Sequence, residues 1–149
     1  MNERVVAIGL KIPDNEAYTA LTALRRLGLD VEAVERSEIW RFEDAGDPAT
    51  FAGRVRANAT IFNPNKHRLA VLAAAQPRAG EAWVGDSDER DEVRAHLGGK
   101  GIAGVTRARR YVGWRLIGAG GGPVSRETLV AAVERILCNP AIEKAVYEQ

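Results

Sequence analysis

The side chains that could perform chemistry are few and widely separated in this sequence. Metal sites need His, Cys or carboxylate groups at short spacing, and His67, His96 and Cys138 do not have such a spacing. No Gly-x-Ser-x-Gly nucleophile motif occurs, and Cys138 falls in a predicted helix rather than on an exposed turn. We therefore expect no catalytic residue, no bound metal and no cofactor.

A glycine-rich loop and two basic groups are the candidates for binding. Residues 118–123 precede a predicted helix, where backbone amides attract anions, but they lack the Lys-Ser/Thr pair of a phosphate-binding loop. The basic residues are Lys66, His67 and Arg68 in one group and Arg107, Arg109 and Arg110 in the other. Either group could contact an acidic partner surface or a phosphorylated ligand. The alternative is solvated charge that discourages edge pairing of strands.

The composition is typical of a soluble globular domain. Of the 149 residues, 46% are hydrophobic and 28% charged, and the formal net charge is +1. This balance gives no overall attraction to nucleic acid or to a membrane surface. The single cysteine cannot form an internal disulfide, and the first apolar run is too short for a signal peptide. We expect a cytoplasmic protein that binds neither nucleic acid nor membranes.

The apolar pattern of the first half predicts six elements in the order strand, helix, strand, strand, helix, strand. The predicted elements are a strand at 4–11, a helix from its cap Asp14 to Gly28, strands at 31–36 and 39–43 with a tight turn near Ser37, a helix that starts at Asp47-Pro48 and stops by Asn63, and a strand after Pro64. This is the order of a split βαβ, or ferredoxin-like, fold.

The second half predicts a similar series after a linker at residues 73–80. Its elements are a strand at 81–85, a short helix at 90–97 capped from Ser87, strands at 105–108 and 111–117, a helix from Ser125 that stops by Asn139, and a closing strand. The helix that follows Ser125 has a single apolar face, and Pro140 forces the chain to turn after it.

Two landmarks indicate that the halves are related. The step from Trp40 to Trp114 (114 − 40 = 74) nearly equals the step from Pro64 to Pro140 (140 − 64 = 76). We therefore predict a duplicated unit, with domains at 1–75 and 76–149. The expected fold is α+β, with two ferredoxin-like units in tandem whose antiparallel sheets pack or join and whose helices lie on the outer face. Both tryptophans are interpreted as packing residues.

Two segments resemble the PurS family, the small subunit of phosphoribosylformylglycinamidine synthase. The segment VVAIGLKIPDNEAYTALTALRRLGLDVEAVERSEIWRFE is similar to the family's first strand ending in V-x-L-K, its D-x-x-x-x-A helix and its V-x-x-V-R-x-x-K strand pair. The segment VERILCNPAIEKAVYE resembles the closing E-x-L-L-A-N-P-V-I-E-D-Y-x-x-E, with Leu137, Asn139-Pro140, Ile142 and Glu143 in register. A family member has about half this length, so the resemblance implies two PurS-like units in one chain.

The resemblance implies a non-catalytic subunit of a ligase. In this family the small subunit bridges a glutaminase and an ATP-dependent synthetase, which together make the amidine of formylglycinamide ribonucleotide in purine biosynthesis. The implied partners are those two subunits, and a homo-oligomer is a further possibility. Two alternatives stay open: a regulatory module whose basic groups bind a small effector between two ferredoxin-like units, and an enzyme with an active site at residues 118–123.

Overall fold

The chain folds into a six-stranded antiparallel sheet with helices, so the predicted α+β class is confirmed. The computed structural model describes residues 2–88, 90–92 and 101–149. Its strands are β1 (Asn2–Leu10), β2 (Ala33–Asp44), β3 (His67–Val71), β4 (Glu81–Asp86), β5 (Val105–Ile117) and β6 (Glu143–Tyr147), and its α-helices are α1 (Asn15–Arg26), α2 (Phe51–Arg56) and α3 (Arg126–Ala132). The strand order is β3-β1-β2-β5-β4-β6. Of the helix predicted at 90–97, residues 93–97 lie outside the described residues.

The predicted helix starts are confirmed by their caps. The Asp14 carboxylate accepts hydrogen bonds from two backbone N–H groups in the first turn of α1, at 3.0 and 3.2 Å. Asp47 accepts an equivalent bond at 2.9 Å at the start of a 3₁₀ turn, Pro48–Thr50, that leads directly into α2, and Ser125 accepts one at 3.1 Å. Gly28 follows the end of α1 with a φ of +81°, a left-handed conformation that favours glycine. None of the described helices is both long and apolar enough to cross a membrane.

The two predicted strand pairs are wrong, because each is one long strand. The turn predicted near Ser37 is absent, and β2 runs continuously from Ala33 to Asp44. Likewise β5 runs from Val105 to Ile117 without a break at Arg109 and Arg110. Neither site carries the glycine, proline or asparagine that a tight turn favours, and both strands are interior strands of the sheet.

The second helix is shorter than predicted. α2 ends at Arg56, well before Asn63. The reason lies in Asn58, whose side-chain oxygen accepts the backbone N–H of Thr60 at 3.0 Å. Such local bonds from asparagine offer the backbone an alternative to the helix.

The chain separates into two compact units that do not coincide with its two halves. Unit 1 consists of Met1–Ile12, Glu38–Ala75 and Glu89–Arg110, and unit 2 consists of Pro13–Ser37, Gln76–Asp88 and Tyr111–Gln149. Each unit is therefore built mainly from one half of the sequence and completed by a segment of the other. The sequence division at 75/76 stays a prediction about which halves are related.

The core of unit 1 is aromatic. Trp40 and Phe42 on β2 are fully buried, and their rings stack with centroids 5.8 Å apart. Phe51 of α2 meets Phe42 edge-on, also at 5.8 Å. Val6 of β1 and Val55 of α2 belong to the same cluster. The interpretation of Trp40 as a packing residue is therefore confirmed.

The core of unit 2 joins a helix of the first half to a helix of the second. Leu24 of α1 is fully buried in one apolar cluster with Leu129 of α3 and with Val133 and Leu137. The last two belong to a single π-helical turn, Val133–Leu137, that continues α3 and contacts α1. Trp114 is partly buried against this cluster. The segment that carries α1 thus supplies core residues to a unit whose strands come mostly from the other half.

The two halves share one strand register. Val6 lies opposite Trp40 between β1 and β2, and Ala82 lies opposite Trp114 between β4 and β5. On their other sides Val6 faces Val71 and Ala82 faces Tyr147. The equivalent residues of the two halves are separated by the same 76 positions as the two prolines (82 − 6 = 76; 147 − 71 = 76). The correspondence predicted from Trp40 and Pro64 is therefore present in the hydrogen-bonded sheet.

The Asn-Pro corners repeat to the level of single hydrogen bonds. The backbone N–H groups of His67 and Glu143 donate to the carbonyls of Asn63 and Asn139, in both cases at 2.8 Å. In return the backbone N–H groups of the two asparagines donate to the His67 Nδ1 and the Glu143 Oε1, both at 2.9 Å. The histidine and glutamate side chains thus accept the same backbone hydrogen bond at equivalent positions. The side-chain acceptor is kept although its charge differs.

Candidate functional site

The first predicted basic group lies at the start of β3, in unit 1. Lys66 and Arg68 are exposed. His67 is half-buried, with its Nδ1 bonded to Asn63 and its ring centroid 6.1 Å from that of Phe62. Because the Nδ1 accepts a backbone N–H, the ring serves the corner rather than a ligand. Lys66 and Arg68 are the two members that face solvent.

The second predicted basic group is divided between two faces of β5. Arg110 places its guanidinium 5.8 Å from the centre of the Trp40 ring, on the face that also carries the buried Ala108. Since side chains alternate along a strand, Arg107 and Arg109 belong to the opposite face. β1 and β2 lie between β3 and β5, a separation of about 14 Å across the sheet. The structure does not bring the six basic residues into one site.

The glycine-rich loop closes on itself. The backbone N–H of Gly118 donates to the carbonyl of Gly122 at 2.8 Å, and the N–H of Val124 donates to Leu116 at 3.1 Å. Ala119–Gly121 forms a short 3₁₀ turn, and α3 is capped by Ser125. The geometry is that of a loop that connects a strand to a helix, and it does not favour an anion cradle.

Unit 1 contains an Arg-Asp-Arg group around the buried Asp44 that the sequence did not reveal. The Asp44 side chain has no solvent exposure and accepts from the Arg4 Nε at 2.9 Å. It also accepts from both terminal nitrogens of Arg54 at 2.9 Å and from the backbone N–H of Gly46 at 3.0 Å. The Arg54 hydrogen bonds are the main cause that holds the pKa of Asp44 well below its usual range.

Every N–H donor of the Arg54 guanidinium bonds to another group of the protein. Besides its two bonds to Asp44, it donates to the Thr50 Oγ1 at 2.9 Å and to the backbone carbonyls of Asp47 and Ala103. A guanidinium has five N–H donors, and these contacts use all five. Arg54 therefore acts as a structural tie that joins α2 to β2 and to the loop at Ala103, which precedes β5.

Gly104 is required beside this group. Its φ is +83°, and a Cβ there would lie 2.9 Å from the Asp44 Oδ1. Its carbonyl accepts the backbone N–H of Ala45 at 2.8 Å. A side chain would push Asp44 out of its ion pairs, so the loop can approach the buried carboxylate only with glycine at this position.

A cleft of about 590 Å³ opens beside Arg54, a volume that would fit a small molecule. It is lined by Arg54, by residues 57–60 and by residues 101–103. Two of its polar side chains are engaged: Arg54 as described above, and the Asn58 oxygen with the backbone N–H of Thr60. The cleft thus presents alanine, glycine and backbone more than groups able to hold a charged effector.

Cys138 has the environment of a structural thiol. It is half-buried beside the core of unit 2. Burial, with a smaller contribution from Glu143, raises the pKa of the thiol, which disfavours the reactive thiolate. Within the described ranges no cluster of three or more His, Cys, Asp or Glu residues could hold a metal ion.

Comparison with known proteins gives no family for this chain. No protein-family model matches the sequence, and no curated protein matches it significantly. The PurS-like character of residues 133–148 therefore stays a prediction from the sequence.

Proposed function

We propose that the chain is a non-catalytic, PurS-type subunit of phosphoribosylformylglycinamidine synthase that bridges a glutaminase and an ATP-dependent synthetase in purine biosynthesis. The observation that carries the proposal is the repeat: both halves have the same strand register and the same Asn-Pro corner. A chain of two PurS-like units would have this repeat.

The residues of the closing PurS-like signature have defined structural roles. Leu137 is buried in the core of unit 2, and Asn139 and Glu143 form the corner through mutual hydrogen bonds. The carbonyl of Ile142 accepts the backbone N–H of Ser87 at 2.9 Å, which starts the pairing of β6 with β4. These contacts explain why the signature needs a fixed register, and they support a PurS-like unit.

The strand order of unit 2 supports a ferredoxin-like unit made by exchange. Unit 2 contains β6, β4, the second part of β5 and the first part of β2, in that order across the sheet. A ferredoxin-like fold has its first and third strands at the centre and a helix after each. Here β4 and β5 are the central strands, α3 is the second helix, and α1 with β2 takes the place of the first helix and second strand. In the proposed arrangement, each unit is thus completed by a segment from the other half of the chain.

Such a duplicated scaffold suits a bridging role. Its buried charges are paired within the protein, as with Asp44 and with Glu81, which Arg78 contacts at 2.7 Å. Exposed strand edges and helix surfaces would then be the parts that meet other subunits. A bridging subunit needs a rigid frame more than chemistry of its own.

The proposal is tested by recovery of the partners. A tagged form of the whole chain, expressed at its natural level in its own host, is purified in the presence of glutamine, Mg²⁺ and a nucleotide. We expect a glutaminase and an ATP-dependent synthetase to copurify, whereas a tagged unrelated protein of similar size should recover neither. Recovery of neither subunit, together with a raised melting temperature of the isolated chain on addition of a small metabolite, would contradict the scaffold and favour the effector-binding alternative.

A further inference from the structure

The open edge of β3 differs in charge from the equivalent edge of β6. No Asp or Glu occurs between residues 48 and 80, whereas the segment equivalent to its first part, residues 124–149, carries Glu127, Glu134, Glu143 and Glu148. The corner before β3 instead gathers cations. Lys66 and Arg68 are exposed there, and the Lys11 Nζ is held at this corner by the carbonyl of Pro64, at 2.7 Å.

Among the residues that the structure describes, no strand pairs with the outer side of β3. β3 is the first strand in the sheet order, with β1 as its strand neighbour. The bonds from Lys11 to Lys66 and from Leu72 to Val5 fix the ladder, so the even-numbered residues of β3 bond to β1. Leu69 and Val71 therefore point their N–H and C=O groups away from β1, where another extended strand could pair with them.

We propose that this edge, formed by β3 with Lys66 and Arg68, binds an acidic extended segment of a partner protein by strand addition. The outward backbone groups of Leu69 and Val71 would supply the main-chain hydrogen bonds of strand addition. The cations would select carboxylates and repel basic segments. An extended polypeptide fits this edge better than a lone phosphate, because the bonding groups are spread along the strand.

The proposal goes beyond the proposed function, since it concerns the chemistry of one edge and not the identity of the complex. It also differs from the usual role of charge at a sheet edge, which is to prevent pairing. Charge that prevents pairing acts against any strand, whereas this edge should bind acidic segments and reject basic ones. Discrimination is therefore the property to measure.

The experiment uses the full chain and a fluorescein-labelled peptide that alternates Glu and Val. Binding is followed by fluorescence anisotropy at low salt, with a peptide that alternates Lys and Val as the comparison. We expect the acidic peptide to bind wild type, the basic peptide to bind at least about tenfold more weakly, and added salt to weaken the acidic complex.

Two variants locate the site, and a third is a matched control. Arg68→Glu should weaken binding of the acidic peptide by about tenfold or more, because like charges would then face each other. Lys144→Glu makes the same change of net charge at the equivalent position of β6 (144 − 68 = 76) and should leave binding unchanged. Val71→Pro removes one outward N–H without touching the β1 ladder and should also weaken binding.

Three results would overturn the proposal. Equal loss in Arg68→Glu and Lys144→Glu would show an effect of net charge alone. Equal affinity for the acidic and basic peptides would remove the selectivity. Undiminished binding in Val71→Pro, with binding lost in Arg68→Glu, would show a charged surface contact without strand addition. Far-ultraviolet circular dichroism of each variant verifies that the fold is kept, and Arg68→Glu tests the edge even if Val71→Pro does not fold.

Discussion

Asp44→Ala should destabilise the protein by about 3–5 kcal/mol, the cost of removing one partner from a buried ion pair. The side chain of Asp44 has no solvent exposure, and its loss leaves Arg4 and Arg54 as neighbouring, partly buried cations without their shared anion. Urea unfolding followed by tryptophan fluorescence measures the effect, since Trp40 lies in the core of the same unit.

The matched control is Asp86→Ala, at an exposed carboxylate near the end of β4. We expect it to change the free energy of unfolding by less than about 0.5 kcal/mol. If Asp44→Ala proves as stable as Asp86→Ala, the buried ion pairs do not hold unit 1 together and the account of Arg54 as a structural tie is wrong.

The same carboxylate predicts an acid sensitivity. The pKa of Asp44 is lowered in the folded protein, so its contribution to stability is complete above the unfolded-state pKa of about 4. As the pH falls below that value the unfolded state binds the proton first, and the contribution declines by up to about 1.4 kcal/mol per pH unit. Asp44→Asn, which cannot titrate, should lose stability less steeply than wild type below pH 4.

Leu24→Ala should cost about 2–5 kcal/mol, the range for truncating a buried leucine. Leu24 is fully buried in the core of unit 2, although it belongs to the first half of the sequence. Chemical denaturation measures the loss. Leu27→Ala is the control, because Leu27 caps the same helix but is 41% exposed, and its truncation should cost less than about 1 kcal/mol.

A double-mutant cycle extends this test to the packing of the two halves. α1 contacts the turn that contains Val133, and both side chains share one apolar cluster. Leu24→Ala and Val133→Ala should therefore be non-additive by about 0.5–3 kcal/mol. Additive effects would mean that α1 does not complete the core of unit 2.

The features that sequence could predict are those set by neighbouring residues. Asp14 and Asp47 are capping residues because a carboxylate beside the first helical turn has unpaired N–H groups within reach. The corners at Pro64 and Pro140 are equally local, because proline restricts its predecessor. The repeat was visible for the same reason: each landmark is a short motif that the fold uses twice.

The features that sequence missed depend on distant residues. Whether Ser37 turns or continues a strand is decided by the pairing of β2 with strands distant in sequence, such as β1, which pairs with residues 38–44. Asp44 gives no local sign of burial, because its partner Arg4 lies 40 positions away. The exchange of segments between halves is likewise invisible to periodicity, since α1 has the same apolar stripe whichever core receives it.

The central claim is that each compact unit is built from both halves of the chain. A protease site inserted between Ala73 and Ala74, two exposed residues that precede β4, allows the folded protein to be cut into its two halves, which are then separated in urea. The account predicts that neither fragment regains cooperative unfolding when the urea is removed from it alone, and that mixing the two fragments restores the circular dichroism and the unfolding transition of the intact chain. Two fragments that each refold alone, with transitions unchanged by mixing, would contradict it.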